Sequence, residues 1–232
     1  MKSILKILFP LIAATTLFYI WSVSIQNNGG LNATFNSGDA ESLIYNLLKL
    51  AGLTAFTLVG FQVLTGPYMK FWEYLYGQNF YRYHAFQGIF TLVFALLHPI
   101  LLLLFLKLAN INIFEFSNGQ PYQYYFGSLA LVLMLFTVTT AISNVLLNKL
   151  RFTKKWHYIH FLNYGIFILV FAHSMTIGTD VSPKGSSLKI IWVFFFIGAV
   201  VGFIYRRIYR VIREKREQAP QNSINSPKSS IF

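Results

Sequence analysis

Four histidines lie within two long apolar stretches of this chain, and they are the residues best suited to chemistry. His84 and His98 are fourteen residues apart on one stretch, and His160 and His173 are thirteen apart on another. In an α-helix these separations correspond to rises of about 21 and 20 Å. Imidazole binds haem iron as an axial ligand, and a helix bundle can hold a haem between facing helices. The spacing therefore predicts two haem sites at two levels.

The two stretches are predicted to run in the same direction, because each follows an even-numbered apolar helix. His84 is then level with His160, and His98 is level with His173. Gly88, one turn after His84, offers the flat surface that a porphyrin needs. Thirteen residues leave His160 and His173 about 140° apart on an ideal helix. Their helix must therefore be overwound or kinked, or the two haems must contact different flanks of it.

A fifth histidine, His157, is a rival ligand at the first level. It lies three residues before His160 and nearer a short basic loop, so we expect it at the membrane interface. A single histidine in a membrane helix is equally well explained by a hydrogen bond between helices. Four histidines at matched depths favour haem ligation.

The composition indicates an all-α polytopic membrane protein, with six transmembrane helices in a bundle. Of the 232 residues, 55% are hydrophobic and 11% are charged, whereas soluble domains carry about 25% charge. The first apolar run is longer than a signal-peptide core, so we expect a retained helix. Cysteine is absent, which excludes disulfides, thiolate metal sites and iron–sulfur clusters. The predicted spans are 4–25, 42–64, 82–106, 124–147, 154–174 and 188–209.

The distribution of basic residues predicts the topology. Fifteen of the nineteen lysines and arginines fall on one face, and Lys49, Lys107, Lys184 and Lys189 lie on or near the other. The positive-inside rule places the first face, with both termini, in the cytoplasm of a cell (plasma or inner) membrane. The net charge of +12 then reflects topology and contact with anionic lipid rather than nucleic acid. We expect a transmembrane domain over residues 1–210 and a basic, then disordered, cytoplasmic tail over 211–232.

Charged side chains have few predicted roles within the bilayer. Lys49 is expected to snorkel towards the interface. Arg82 is expected to contact lipid, with pairing to a haem propionate as its second role. All seven acidic residues fall in predicted loops, helix ends or the tail. This placement argues against a carboxylate proton relay or an acid–base hydrolase.

Three segments resemble the ferric reductase-like transmembrane family, which includes the membrane parts of ferric reductases and NADPH oxidases. They are HAFQGIFTLVFALLHPILLL, which resembles the third helix of the family, WHYIHFLNYGIFILVFAH, which resembles the fifth, and LAGLTAFTLVGFQVLTGP, which resembles the second. In the fifth helix, Trp156, His160, Tyr164 and His173 follow the family's order. The resemblance covers about residues 49–174. It implies a six-helix bundle that passes electrons through haem b to an acceptor outside the cell.

The resemblance also leaves alternatives. Family members often continue into flavin- and NAD(P)H-binding domains, whereas about 23 residues follow Tyr209 here, with no glycine-rich nucleotide fingerprint. We therefore expect the donor to be a separate cytosolic flavoprotein or membrane quinol. Haem-only relatives serve a periplasmic methionine sulfoxide reductase, but typically lack histidine at the position of His84. A non-redox transporter that binds a metal ion or proton through histidines is the alternative from another class.

Overall fold

The computed structural model describes residues 2–36, 38–112, 121–145, 155–184 and 186–224. Its helices are α1 (Lys2–Asn27), α2 (Gly30–Phe35), α3 (Ala40–Thr65), α4 (Met69–Tyr76), α5 (Phe80–Leu108), α6 (Pro121–Val145), α7 (Lys155–Ile177) and α8 (Leu188–Ile224), with a 3₁₀ turn at Gly66–Tyr68. Six stretches are long and apolar enough to cross a membrane: one each in α1, α5, α6, α7 and α8, and one running from α3 into α4. The predicted all-α, six-helix membrane fold is confirmed.

Helix α3 is the central helix of the bundle, and α1, α5, α7 and α8 all pack against it. Its Phe56 ring stacks on Trp192 of α8, with ring centroids 4.3 Å apart and an interplanar angle of 6°. The ring of Phe167 on α7 also contacts Phe56, with ring centroids 5.7 Å apart, and all three side chains are buried. The peripheral helices instead expose large apolar side chains such as Phe18 and Ile190. In a membrane protein, these exposed faces contact lipid.

Glycines allow α8 to lie close against α3. A Cβ atom on Gly60 would lie 2.7 Å from Cδ1 of Phe195. On α8 itself, a Cβ on Gly202 would lie 2.7 Å from Cγ of Pro67, and one on Gly198 would overlap Leu64. Small residues commonly permit close helix approach in membranes. The glycine pair on α8 therefore sets how closely this helix approaches the end of α3.

The sequence predicted that Lys49 snorkels towards the interface, but in the structure it forms a buried ion pair instead. Its Nζ lies 3.0 Å from Oδ1 of Asp180, and the two side chains are only 11% and 4% exposed. Asp180 also accepts a 2.7 Å hydrogen bond from Ser24 Oγ, and Lys49 donates a 2.9 Å bond to Asn28 Oδ1. Desolvating a lone ammonium is costly, so a carboxylate from a neighbouring loop replaces water. This network joins α1, α3 and the loop between α7 and α8.

The structure adds helical segments that the sequence analysis placed in loops. Helices α2 and α4 lie in predicted connections, and α8 continues to Ile224 rather than ending at Tyr209. The extension contains Arg, Lys and Glu, which are good helix formers, and it includes residues 218–224, which were predicted to be disordered. Residues 225–232 of the predicted tail lie outside the described residues.

Candidate functional site

The structure brings the four predicted histidines together in two pairs between α5 and α7. The ring centroids of His84 and His160 are 6.1 Å apart, and those of His98 and His173 are 6.3 Å apart. We call these the first pair and the second pair. Two imidazoles on opposite sides of one metal ion have centroids about 6.3 Å apart, given metal–nitrogen bonds of about 2.0 Å. Each pair therefore has the separation that a shared metal atom requires.

The two helices that carry the histidines, α5 and α7, pack mainly against other helices and face each other through the histidine pairs. Helix α5 packs most closely on α3, and α7 packs most closely on α6. Helix α7 is a continuous α-helix from Lys155 to Ile177. His160 and His173 of this helix each face a histidine of α5, although thirteen residues separate them.

Polar neighbours hold the Nδ1 atoms of the first pair. The Thr65 hydroxyl donates to the Phe61 carbonyl at 2.8 Å, and its oxygen lies 3.4 Å from Nδ1 of His84. That oxygen can accept the Nδ1–H of His84. The Nδ2 atom of Asn163 lies 3.2 Å from Nδ1 of His160, and as an NH2 group it donates to that nitrogen. Donation of Nδ1–H to a neighbour, which Thr65 permits for His84, is the usual support for an imidazole that binds a metal through Nε2.

A cleft adjoins the first pair, with walls contributed by α3, α5, α6 and α7. It encloses about 70 Å³ and is partly open. Gly88 lines this cleft, and the Thr91 hydroxyl beside it donates to the Gln87 carbonyl at 2.7 Å. The remaining wall is mainly apolar: Val59, Val63, Met134, Val138, Ile142 and Ile166.

The second pair is supported by a backbone carbonyl and two glycines. Nδ1 of His98 lies 3.0 Å from the Leu48 carbonyl oxygen, so Nδ1–H donates and Nε2 is left as the ligand atom. A Cβ on Gly52 would lie 2.8 Å from Nδ1 of His98, and a Cβ on Gly127 would lie 2.8 Å from Cε1 of His173. The sequence analysis missed both glycines. The available signal was that glycine in membrane helices often marks a close approach.

The two remaining histidine and arginine candidates from the sequence analysis are His157 and Arg82. The Arg82 side chain is exposed and is not among the described residues that line the cleft. A different arginine, Arg206 of α8, lines a second, smaller space of about 30 Å³ that also borders His84 and His160. The backbone of His157 belongs to α7, but its side chain lies outside what the structure describes.

Fold and site together define a polytopic all-α membrane protein with paired intramembrane histidines at two levels. The family profile described as "Ferric reductase like transmembrane component" matches residues 51–171, just over half of the 232-residue chain. The chain therefore belongs to the ferric reductase-like transmembrane family, and the predicted resemblance is confirmed. Membership supports a role as a membrane electron-transfer component. Comparisons with curated proteins and with solved structures give no significant match.

Proposed function

We propose that this protein is a transmembrane b-type cytochrome that carries electrons between two haems, each held by one histidine pair. The observation that carries the proposal is the pairing itself: two imidazole pairs at two levels, with centroids 6.1 and 6.3 Å apart. The sites fit haem in a second respect. A porphyrin supplies four ligands to its iron, so two axial histidines complete the set. A bare Zn²⁺ or Ca²⁺ ion usually takes four or more ligands in proteins.

The chain's own residues bind and orient the cofactor. The four histidines would supply nitrogen ligands to the haem irons, and the contacts at Nδ1 of His84, His98 and His160 hold three of the rings in place. The mainly apolar wall would lower the local dielectric at the first site and so influence the redox potential. Bound haem supplies the one-electron chemistry, while the protein sets distance and environment.

The proposed direction of electron flow follows from the basic residues. Their excess at the first-pair end supports a cytoplasmic position for that end and for both termini, in a protein of the plasma or inner membrane. Electrons would enter there from a separate flavoprotein or from membrane quinol, and leave at the second pair to an acceptor outside. The pairing of His84 with His160 supports the two-haem arrangement over the methionine sulfoxide reductase subunits, which typically lack histidine at the position of His84.

The test is a direct measurement of haem in the purified protein. Dithionite-reduced minus oxidised spectra should show the α and Soret bands of low-spin b-type haem. The pyridine haemochrome assay should give two haems per chain. A protein that stays colourless after expression with excess haem precursor, and binds no added haemin, would contradict the proposal and favour the transporter alternative.

A further inference from the structure

The cleft at the first pair adjoins a second, smaller space, which borders the same two histidines and reaches the 3₁₀ turn and α8. The cleft wall is mainly apolar, and the second space forms its polar end. The polar side chains at this end are Gln62, Asn163, Tyr164 and Arg206. A haem has the same division, because its plate is apolar and its two carboxylates lie together on one edge.

The packing of α8 explains why an arginine reaches this end of the cleft. Gly198 and Gly202 let α8 lie against Leu64 and Pro67. Arg206 follows Gly202 by four residues and therefore lies on the same face of the helix. The close contact at Pro67 thus brings the guanidinium to the cleft, where Pro67 and Arg206 line the same space. The next residue, Arg207, is exposed.

The charge of Arg206 has no acidic partner in the part of the chain that the structure describes. The ion pair found there is that of Lys49 with Asp180, which belongs to the opposite end of α3. The Tyr164 hydroxyl is buried and near enough to the guanidinium to interact with its charge, without a regular hydrogen bond to it. A half-buried cation beside a buried hydroxyl is a combination that binds a carboxylate.

We propose that Arg206, assisted by the Tyr164 hydroxyl, binds a propionate carboxylate of the haem held by His84 and His160. The inference rests on the proposed function, since it concerns the same haem. It assigns to Arg206 the role that the sequence analysis gave to Arg82. Arginine suits this role because its planar guanidinium can bind a carboxylate through two parallel hydrogen bonds.

The experiment compares haemin with iron protoporphyrin IX dimethyl ester, whose carboxylates are blocked, in the full-length protein. Wild type should bind haemin at the first site about 10-fold more tightly than the ester, the usual size of a charge-assisted hydrogen bond. Arg206→Gln should weaken haemin binding by a similar factor and remove the preference for haemin over the ester. The midpoint potential of the first haem should fall, because a nearby positive charge stabilises the reduced form. The second haem should keep its potential.

Matched variants complete the design. Arg207→Gln removes the same charge from an exposed position and should leave binding and potential unchanged, and Arg82→Gln should do the same. Arg206→Lys keeps the positive charge but lacks the planar guanidinium, so this variant should prefer haemin over the ester less strongly than wild type. If Arg206→Gln does not fold, Arg206→Lys takes its place in the test. The inference is contradicted if Arg206→Gln or Arg206→Lys prefers haemin over the ester as strongly as wild type does. It is also contradicted if Arg82→Gln loses that preference. Neither result contradicts the proposal that the protein is a cytochrome. A wild type that binds no haem contradicts the proposed function instead.

Discussion

The Nζ atom of Lys49 and the Oδ1 atom of Asp180 lie 3.0 Å apart in an ion pair that is buried on both sides. Lys49 follows Leu48, whose carbonyl oxygen lies 3.0 Å from Nδ1 of His98. Asp180 is seven residues after His173. The ion pair therefore ties α3, whose Leu48 carbonyl contacts His98, to the loop that follows the helix carrying His173.

This arrangement predicts that removing one partner of the ion pair harms the protein more than removing both. Lys49→Met leaves the Asp180 carboxylate buried without a cation, which typically costs about 3–5 kcal/mol. The double variant Lys49→Met, Asp180→Asn should melt at a higher temperature than Lys49→Met alone. Melting can be followed by tryptophan fluorescence, because the chain has four tryptophans and no cysteine for thiol dyes. Lys184→Met, at an exposed position in the same loop, is the control. Equal melting of the single and double variants would show that the pair is not coupled.

The two glycines beside the second pair predict a site-specific steric effect. Gly52→Ala and Gly127→Ala each place a methyl group within 3 Å of an imidazole ring, so the ring must move. We expect loss of haem from the second site, or a shifted potential there, while the first haem is retained. Gly165→Ala, on α7 between the two histidines, meets nothing within 4 Å and should leave both haems intact. Spectra and redox titration of each variant measure the effect. Identical titrations for all three would refute the steric argument.

The two haem sites are predicted to be separable by mutation. His98→Ala or His173→Ala should remove the second haem and leave the first, and His84→Ala or His160→Ala should do the reverse. Loss of one of two axial bonds leaves the haem weakly held beside a cavity. The measurement is haem per chain by pyridine haemochrome, with a redox titration of each variant.

His157→Ala is the control for the first pair and should keep both haems. If it loses as much haem as His160→Ala, the first site has been assigned to the wrong histidine. Electron flow across a vesicle membrane should stop in all four ligand variants, because the proposed path needs both carriers.

The donor can be tested with the purified 232-residue chain. Its sequence has no glycine-rich nucleotide fingerprint, so NADPH alone should not reduce the haems. Reduction should begin when a flavoprotein reductase or a quinol is added, and comparing the two identifies the class of donor. Rapid reduction by NADPH in the absence of both would contradict this prediction.

The sequence predicted the helices and the histidine pairing well, because both depend on local regularities. The apolar runs fall within a few residues of the observed α3, α5, α6 and α7, and helical rise alone matched the depths of the histidines. The residues that the sequence analysis missed depend on neighbours that are distant in the chain. Asp180 is 131 residues from Lys49, and Gly52 and Gly127 face histidines on other helices. Arg206 reaches the first pair only because of where α8 packs.

The separation of the two histidine pairs along α5 also makes the proposed electron transfer sensitive to voltage. Fourteen residues of helix span about 21 Å, roughly two thirds of a 30 Å hydrocarbon core. Moving one elementary charge across the whole membrane changes its free energy by about 2.3 kcal/mol for each 100 mV of membrane potential. Moving an electron between the two histidine pairs therefore changes its free energy by about 1.5 kcal/mol for each 100 mV. In the proposed direction, a membrane that is negative inside drives the electron outward. Each electron delivered also depolarises the membrane, so sustained turnover requires a compensating current of protons or other cations.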